Sequence, residues 1–306
     1  MSRSISVCHG DFGRLCFTEL NRPKVLHATR TGQLLFLING DEVVVKINGK
    51  SVVLSAERAV AIDSFSAHEI PEINSSNSAK ILSVYVDPMW FATRCINGDP
   101  EWLNFGVQSF IISAEIEHHI EHLLSLVQPP LPRLEPGYHQ ALETRLRHLC
   151  SACYVDPNEH SGVPVSSPNP MNSCDSRIRK SLAIMNHHVR GDLCLDEIAL
   201  EAGLSRPHFY RLFRENLGFT PNLYMNLLRM EFAVERLTYS DQPVTAIALD
   251  LGFASQASFT RFFGANQGIP PTDYRRLACF QSVIAPAVSF DEANSSTMQQ
   301  TIVRIA

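Results

Sequence analysis

Sliding the C-terminal half of the sequence along itself gives a match at an offset of 49 residues, which becomes 50 after one inserted position. The first copy reads Ile198-Ala-Leu-Glu-Ala-Gly203-Leu204 and the second Ile247-Ala-Leu-Asp-Leu-Gly252-Phe253. Past the insertion, Phe209 answers to Phe259, Arg211 to Arg261, Phe213 to Phe263, Gly218 to Gly268, Pro221 to Pro271 and Tyr224 to Tyr274. Agreement this ordered marks a repeated supersecondary unit, so one local fold must serve both stretches.

Each copy begins with a short helix whose Ile and Leu face inward. Ala199 or Ala248 is small where a second helix has to cross closely. Gly203 and Gly252 suit the positive φ of a tight inter-helix turn. The second helix carries Phe209 and Phe213, or Phe259 and Phe263, at a four-residue spacing that puts both on the core side. Ser205 and Ser255 are placed to cap these second helices. Helix, glycine turn and helix form the helix-turn-helix plan, in which the second helix enters the major groove. Between the copies, Thr220-Pro221 reads as an N-cap and first-turn proline. Leu223, Leu227, Leu228, Val234 and Leu237 then continue an apolar pattern to about Tyr239, so a linking helix sets the spacing of the two heads.

On the first recognition helix Arg206, Pro207, Tyr210, Arg211 and Arg214 face away from the phenylalanines; on the second Gln256, Ala257, Ser258 and Arg261 do. Arginine pairs with guanine in bidentate fashion and glutamine with adenine, so Arg211, Arg261 and Gln256 are candidate base readers. Ser205, Thr260 and the helix N-termini are candidate phosphate holders. Any one of these arginines could equally be a solvated helix face. Their equivalence in the repeat favours contact.

Over residues 176–277 the chain resembles the AraC/XylS transcriptional regulators. The resemblance rests on Ile198-Ala-x4-Leu204-Ser-Arg-Pro-His-Phe-Tyr-Arg-Leu-Phe213 with Gly218-Phe-Thr-Pro221. It rests equally on Ile247-Ala-x3-Gly-Phe253-x-Ser255-Gln-x-x-Phe-Thr-Arg-Phe-Phe263 with Gly268-Ile-Pro-Pro-Thr-Asp-Tyr-Arg275. It implies two recognition helices from one subunit in successive major-groove segments about 34 Å apart. It also places base reading at Pro207, Tyr210 and Arg211. Cys194 departs from the Ser or Thr that the family often has as cap of the first helix, which implies a weaker cap.

The remainder of the 306 residues is long enough for a second domain. From Leu34 to Val86 short β-rich runs follow one another: Leu34–Ile38, Val43–Ile47, Val52–Leu54, Ala59–Ile62 and Ile81–Val86. Asn39-Gly and Asn48-Gly between them are hairpin signals. Such spacing predicts a small barrel or sandwich, whose mouth suits a ligand. Two amphipathic helices follow, Ala114–Gln128 and about Gly137–Tyr154, separated by Pro129-Pro-Leu-Pro132. They either pack on the barrel or mediate dimerisation. Residues 155–175, rich in Pro, Ser and Asn, read as a linker.

The fold class expected is therefore α+β. Residues 1–154 form a small β-barrel sensor with a helical pair, and 176–277 an all-α domain with two helix-turn-helix motifs joined by a linking helix. Residues 278–306 form a tail without an assigned role. Layout makes the sensor resemble the cupin-like domain of the same family. Laying His27 on the first cupin histidine puts Thr29 and Gln33 where His and Glu are expected, while His68 fits the lone histidine of the second motif. Two of four ligands argue against a metal site. The barrel then reads as a pocket for a small organic effector, lined by some of His27, Gln33, Phe36, His68, Tyr85 and Trp90, with ordinary core the competing reading for each.

Composition bears on partners and place. The net charge of −5 is uneven: residues 176–277 hold 12 Arg and Lys against 10 Asp and Glu, so the mildly basic end is the one expected on phosphate. The N-terminus lacks an apolar run with a small-residue cleavage site, and the chain has no stretch of about 18 apolar residues, so a cytoplasmic protein without membrane contact is expected. Eight scattered cysteines then read as buried hydrophobes, including Cys150-x-x-Cys153. His118, His119 and His122 read as an exposed polar face. The expectation is a sequence-specific regulator, an activator, that binds double-stranded DNA and an effector, engages RNA polymerase and dimerises, with neither cofactor nor enzyme activity. The rivals are a cupin enzyme, a DNA-alkyl-transfer protein and a protein-interaction bundle. They lack, respectively, the metal ligands, a clustered set of cysteines, and a reason for arginines on both outward faces.

Overall fold

A computed structural model of the chain describes residues 3–73, 78–96, 102–127, 137–154, 174–189 and 194–282. Most of the predicted linker, the Pro129–Pro132 segment and the tail beyond Ser282 lie outside the described residues. The chain divides into two compact units. The first comprises Met1–Ser166, Leu237–Tyr239 and Thr260–Ile284; the second comprises Ser167–Arg236, Ser240–Phe259 and Ala285–Ala306.

The first unit opens with nine strands: β1 (Arg3–Gly10), β2 (Gly13–Leu20), β3 (Lys24–His27), β4 (Gly32–Asn39), β5 (Val43–Ile47), β6 (Lys50–Leu54), β7 (Arg58–Ile62), β8 (His68–Ile70) and β9 (Ala79–Val86). Helix α1 (Pro88–Arg94), strand β10 (Ser109–Ile111), and helices α2 (Ala114–Val127) and α3 (Tyr138–Cys153) follow. The strands form a six-stranded sheet in the order β1-β2-β9-β4-β7-β10 and a four-stranded sheet in the order β3-β8-β5-β6. They are two packed sheets, and the predicted small barrel does not close. The large sheet is covered on both faces. Leu34 and Phe36 point into one core with Phe91, Leu123 and Leu146 from the helices. Leu35 and Leu37 point into another with Val45, Ile47 and Leu54 of the small sheet. That two-sided burial is why Leu34–Ile38 reads as an unbroken apolar run. Helices α2 and α3 pack on the large sheet through Ile116, Leu123, Leu142 and Leu149.

The two Asn-Gly signals part company. Asn48 and Gly49 both have positive φ, 49° and 82°, as a tight β5–β6 hairpin requires. Asn39-Gly40 instead carries the chain from the large sheet to the small one. Gly40 has φ 111°, and a Cβ there would stand 2.7 Å from the carbonyl oxygen of Ser78, so only glycine fits this corner.

Among the described residues seven more helices follow: α4 (Ser176–His187), α5 (Leu195–Glu201), α6 (Arg206–Leu217), α7 (Pro221–Tyr239), α8 (Val244–Asp250), α9 (Gln256–Gln267) and α10 (Pro271–Ser282). Gly203 and Gly252 adopt φ 72° and 74° at the turns after α5 and α8. Thr220 caps α7 by accepting from the Leu223 N–H at 3.3 Å. Among the described residues no helix is long and apolar enough to cross a membrane.

Candidate DNA interface and effector pocket

Helix α5 begins at Cys194, whose Sγ accepts from the Asp196 N–H at 3.4 Å, while Glu197 accepts from the Cys194 N–H at 3.0 Å. The capping box thus survives the cysteine, with a long sulfur bond in place of a short oxygen one. The next helix, α6, buries Phe209 and Phe213 edge to face at 5.5 Å, which fixes its outward side. Arg206, Pro207, Arg211 and Arg214 are exposed there, and Tyr210 is half-buried. Arg206 pairs with Asp196 at 2.8 Å and lies over the Tyr210 ring; Arg211 pairs with Glu215 at 3.4 Å. Exposed pairs of this kind are weak, so exchanging the carboxylate for a phosphate or base edge costs little. Ser205 occupies the N-cap position without a side-chain cap bond, so the cap expected of it is not made.

In the second copy, Ser255 does cap: the Ser258 N–H donates to its hydroxyl at 3.2 Å. Gln256 and Ala257 are exposed and Ser258 is half-buried. The Gln256 carbonyl oxygen accepts from Thr245, and Ser258 shares a hydroxyl contact with Ser255 at 3.0 Å. Arg261 stands exposed on α9, at the position equivalent to Arg211 on α6.

The equivalent tyrosines of the repeat are anchored differently. Tyr224 meets the side-chain amide of Asn186 on α4, which donates to its hydroxyl at 3.1 Å. Tyr274 on α10 accepts from Arg14 Nη1 at 3.1 Å and lies 3.0 Å from His9 Nε2. Because its oxygen accepts from the guanidinium, its own proton goes to His9. Burial, followed by the Arg14 charge, pushes His9 down to about 3, so its ring is neutral and can accept.

A small cavity lies between the two sheets of the first unit, lined by Thr18, Lys24, His27, Gln33, His68 and Ser83 with Leu and Ile around them. It has room for about one water. His27 and His68 stand with ring centroids 4.1 Å apart. Each Nδ1 sits 2.8 Å from the carbonyl oxygen two residues earlier, at Val25 and Ser66. A carbonyl only accepts, so both rings carry the proton on Nδ1, leaving each Nε2 a bare acceptor. Burial pushes both histidines down, His68 to about 4. The Nε2 of His68 and the Oε1 of Gln33 are buried without a partner.

Of the six pocket candidates, His27, Gln33 and His68 meet at this cavity. Phe36 belongs to the core on the other face of the large sheet, Trp90 donates from its indole to Glu143 at 2.9 Å, and Tyr85 lies under the Arg14 guanidinium at 3.9 Å. Thr18, Lys24 and Arg14 escape the sequence reading because strands β2 and β3 precede the stretch read as β-rich; Ser83 lies inside that stretch, in Ile81–Val86, where a lone serine carries no signal. The alternation Arg14, Cys16, Thr18 against Leu15, Phe17 was the available signal. Among the described residues no three His, Cys, Asp or Glu side chains gather as metal ligands. Cys150 and Cys153 are buried, and burial pushes both thiols up, away from the reactive thiolate. His118 and His122 stand exposed along α2 with ring centroids 4.5 Å apart and tilted by 58°, whereas His119, read with them as an exposed face, is buried.

A family of helix-turn-helix domains matches residues 198–277. Among curated relatives, the regulatory protein PocR of Salmonella typhimurium is 33% identical over 102 residues, which is 33% of this chain and 34% of PocR. An uncharacterised HTH-type transcriptional regulator of Haemophilus influenzae is 30% identical over 102 residues, again 33% of this chain and 34% of the relative. The match thus spans about a third of those relatives' length. Among solved structures, ToxT of Vibrio cholerae with an unsaturated fatty acid bound aligns with a TM-score of 0.51 and 12% identity, over 91% of this chain and 95% of that one. At that identity the likeness is one of fold, two-domain with a mostly-β N-terminal part. Over residues 198–277 the chain thus carries a helix-turn-helix domain, and the relatives it resembles over that stretch are transcriptional regulators.

Proposed function

We propose that the chain is a sequence-specific activator of transcription. The outward faces of α6 and α9 read double-stranded DNA. Its N-terminal strands bind a small organic effector that governs DNA binding or activation. In this reading it acts in the cytoplasm as a homodimer, engages RNA polymerase, and works without cofactor or catalysis.

One observation carries the DNA half: Arg211 and Arg261 occupy equivalent places in the repeat, each exposed on the second helix of its motif opposite buried phenylalanines. Arginines so placed can pair with guanine in two successive groove segments. The effector half is supported by buried, unpartnered polar atoms at the cavity, since such atoms seek a ligand's hydrogen bonds. ToxT, which shares the fold, was solved with a fatty acid bound.

The test is capture of genomic DNA fragments by the purified protein, with footprinting of the captured sites. Paired elements about one helical turn apart are expected. Capture without sequence selectivity, with or without metabolite pools, would overturn the reading.

A further inference from the structure

The two helix-turn-helix copies make one side-chain contact in common. In the first, Arg206, the opening residue of α6, donates from Nη1 to Asp196, the second residue of α5, at 2.8 Å. In the second, Thr245, the second residue of α8, donates from its hydroxyl to the side-chain oxygen of Gln256, the opening residue of α9. By the offsets of the repeat, Asp196 answers to Thr245 and Arg206 to Gln256. The same two places therefore touch in both copies, once as an ion pair and once as a hydroxyl on an amide. All four residues are exposed. Exposed contacts of this kind add little to stability, so stability does not account for a pair kept twice.

What the contact does fix is the group that the leading residue of each recognition helix has left to offer. A guanidinium carries donors alone, so Arg206 offers donors whatever holds it. A carboxamide carries both kinds, an oxygen that accepts and an NH2 that donates. The oxygen of Gln256 is turned to the Thr245 hydroxyl, which leaves the NH2 for DNA. Bidentate pairing with adenine needs both ends at once, an acceptor for N6 and a donor for N7. In the major groove guanine presents two acceptors, O6 and N7, and thymine one, O4, beside its methyl group. A glutamine that offers N–H alone is best matched to guanine, as an arginine is.

We propose that Thr245 is a positioning residue for base reading: its hydroxyl holds the Gln256 amide with the oxygen toward α8 and so makes Gln256 a reader of guanine. Asp196 stands at the same place in the first copy and holds the Arg206 guanidinium beside its helix. The second motif then asks for guanine where a glutamine by itself suggests adenine. The inference rests on the DNA-reading role proposed above and adds the base that one residue selects, with the residue that sets the choice.

The test is in vitro selection by the full chain from a library of random-sequence double-stranded DNA, run for the wild type and for variants at the two positions. Gln256→Ala locates the operator position that Gln256 reads, as the one whose preference disappears. There the wild type should favour guanine over adenine by about tenfold, within the range that one base contact supplies. Thr245→Val, or Thr245→Ala if valine disturbs α8, removes the hydroxyl and frees the Gln256 oxygen. The preference should then move about tenfold toward adenine. Thr245→Ser, which restores the hydroxyl, should bring guanine back. A side chain that only steadied the fold would lower affinity for every sequence alike and leave the preference in place. The proposal is overturned, with the DNA-reading role left standing, if a selected operator carries adenine or cytosine at that position. A guanine preference that survives loss of the Thr245 hydroxyl, or an operator in which no position responds to Gln256→Ala, has the same effect. Enrichment of no sequence by the wild type overturns both.

Discussion

The guanidinium of Arg14 donates to the hydroxyl of Tyr274 at 3.1 Å, joining residues 260 positions apart in the sequence. The Tyr274 hydroxyl in turn donates a hydrogen bond to His9, which also lies 3.3 Å from the Thr238 hydroxyl. Four side chains from β1, β2, α7 and α10 thus share one hydrogen-bonded run inside the first unit. Its repeat equivalent, Tyr224, serves a lesser junction, because Asn186 also donates to the Leu182 carbonyl and keeps a partner if the tyrosine is lost.

Tyr274→Phe should therefore destabilise the empty protein more than Tyr224→Phe does. Losing the Tyr274 hydroxyl leaves the buried Arg14 cation short of a partner, a cost of about 1–3 kcal/mol, while His9 keeps the Thr238 hydroxyl. Losing Tyr224 should cost about 1 kcal/mol or less. Urea unfolding of the two variants checks the order, and equal losses would mean that the Arg14 run is not specially dependent on its hydroxyl.

Arg211→Ala and Arg261→Ala should each weaken binding to a selected operator by about 1–3 kcal/mol, roughly five- to a hundredfold, and binding to random DNA far less. Titrations on both DNAs at several salt concentrations check this. Equal losses on both would assign these arginines to phosphate.

Cys194→Ser should stabilise the second unit by a few tenths to about 1 kcal/mol. A serine oxygen accepts the Asp196 N–H at a shorter distance than the 3.4 Å sulfur bond allows, with the Glu197 half of the box retained. Cys194→Ala should lose a similar amount. Comparing urea midpoints of the three proteins decides it, and a serine variant no more stable than the cysteine would show the sulfur cap to be sufficient.

The sequence made the doubled motif fully readable because its signal is local. Glycine turns, paired phenylalanines four apart and the Thr220 cap each act within a few residues of their position. The strands from Leu34 onward and the two amphipathic helices were readable for the same reason, through period and punctuation. What could not be read was long-range. Nothing near Arg14 announces that it meets Tyr274, and nothing near Asn39-Gly40 distinguishes a corner between sheets from a hairpin, since both need positive φ. Phe36 and Gln33 sit three residues apart in one strand. The pleat sends them to opposite faces, so only the sheet's layering decides which of them faces the cavity.

Stability should fall as the solution is acidified below about pH 6.5, and the first unit should be the part that fails. His9, His27 and His68 all titrate in the folded chain below their ordinary value of 6.5, held down first by burial, with Arg14 adding to it at His9. In the unfolded chain they regain protons near 6.5. Below that pH the unfolded state binds more protons than the native one, so the stability present above 6.5 drains away as pH falls toward the native values. For His68, 3% exposed and held to about 4, the loss by pH 5 is roughly 2 kcal/mol, at about 1.4 kcal/mol for each pH unit. Urea midpoints measured between pH 7.5 and pH 5 should decline, and His68→Gln should flatten the decline by about one proton's worth. A midpoint that holds steady down to pH 5 would mean these rings reach solvent readily enough to titrate as they do in the unfolded chain.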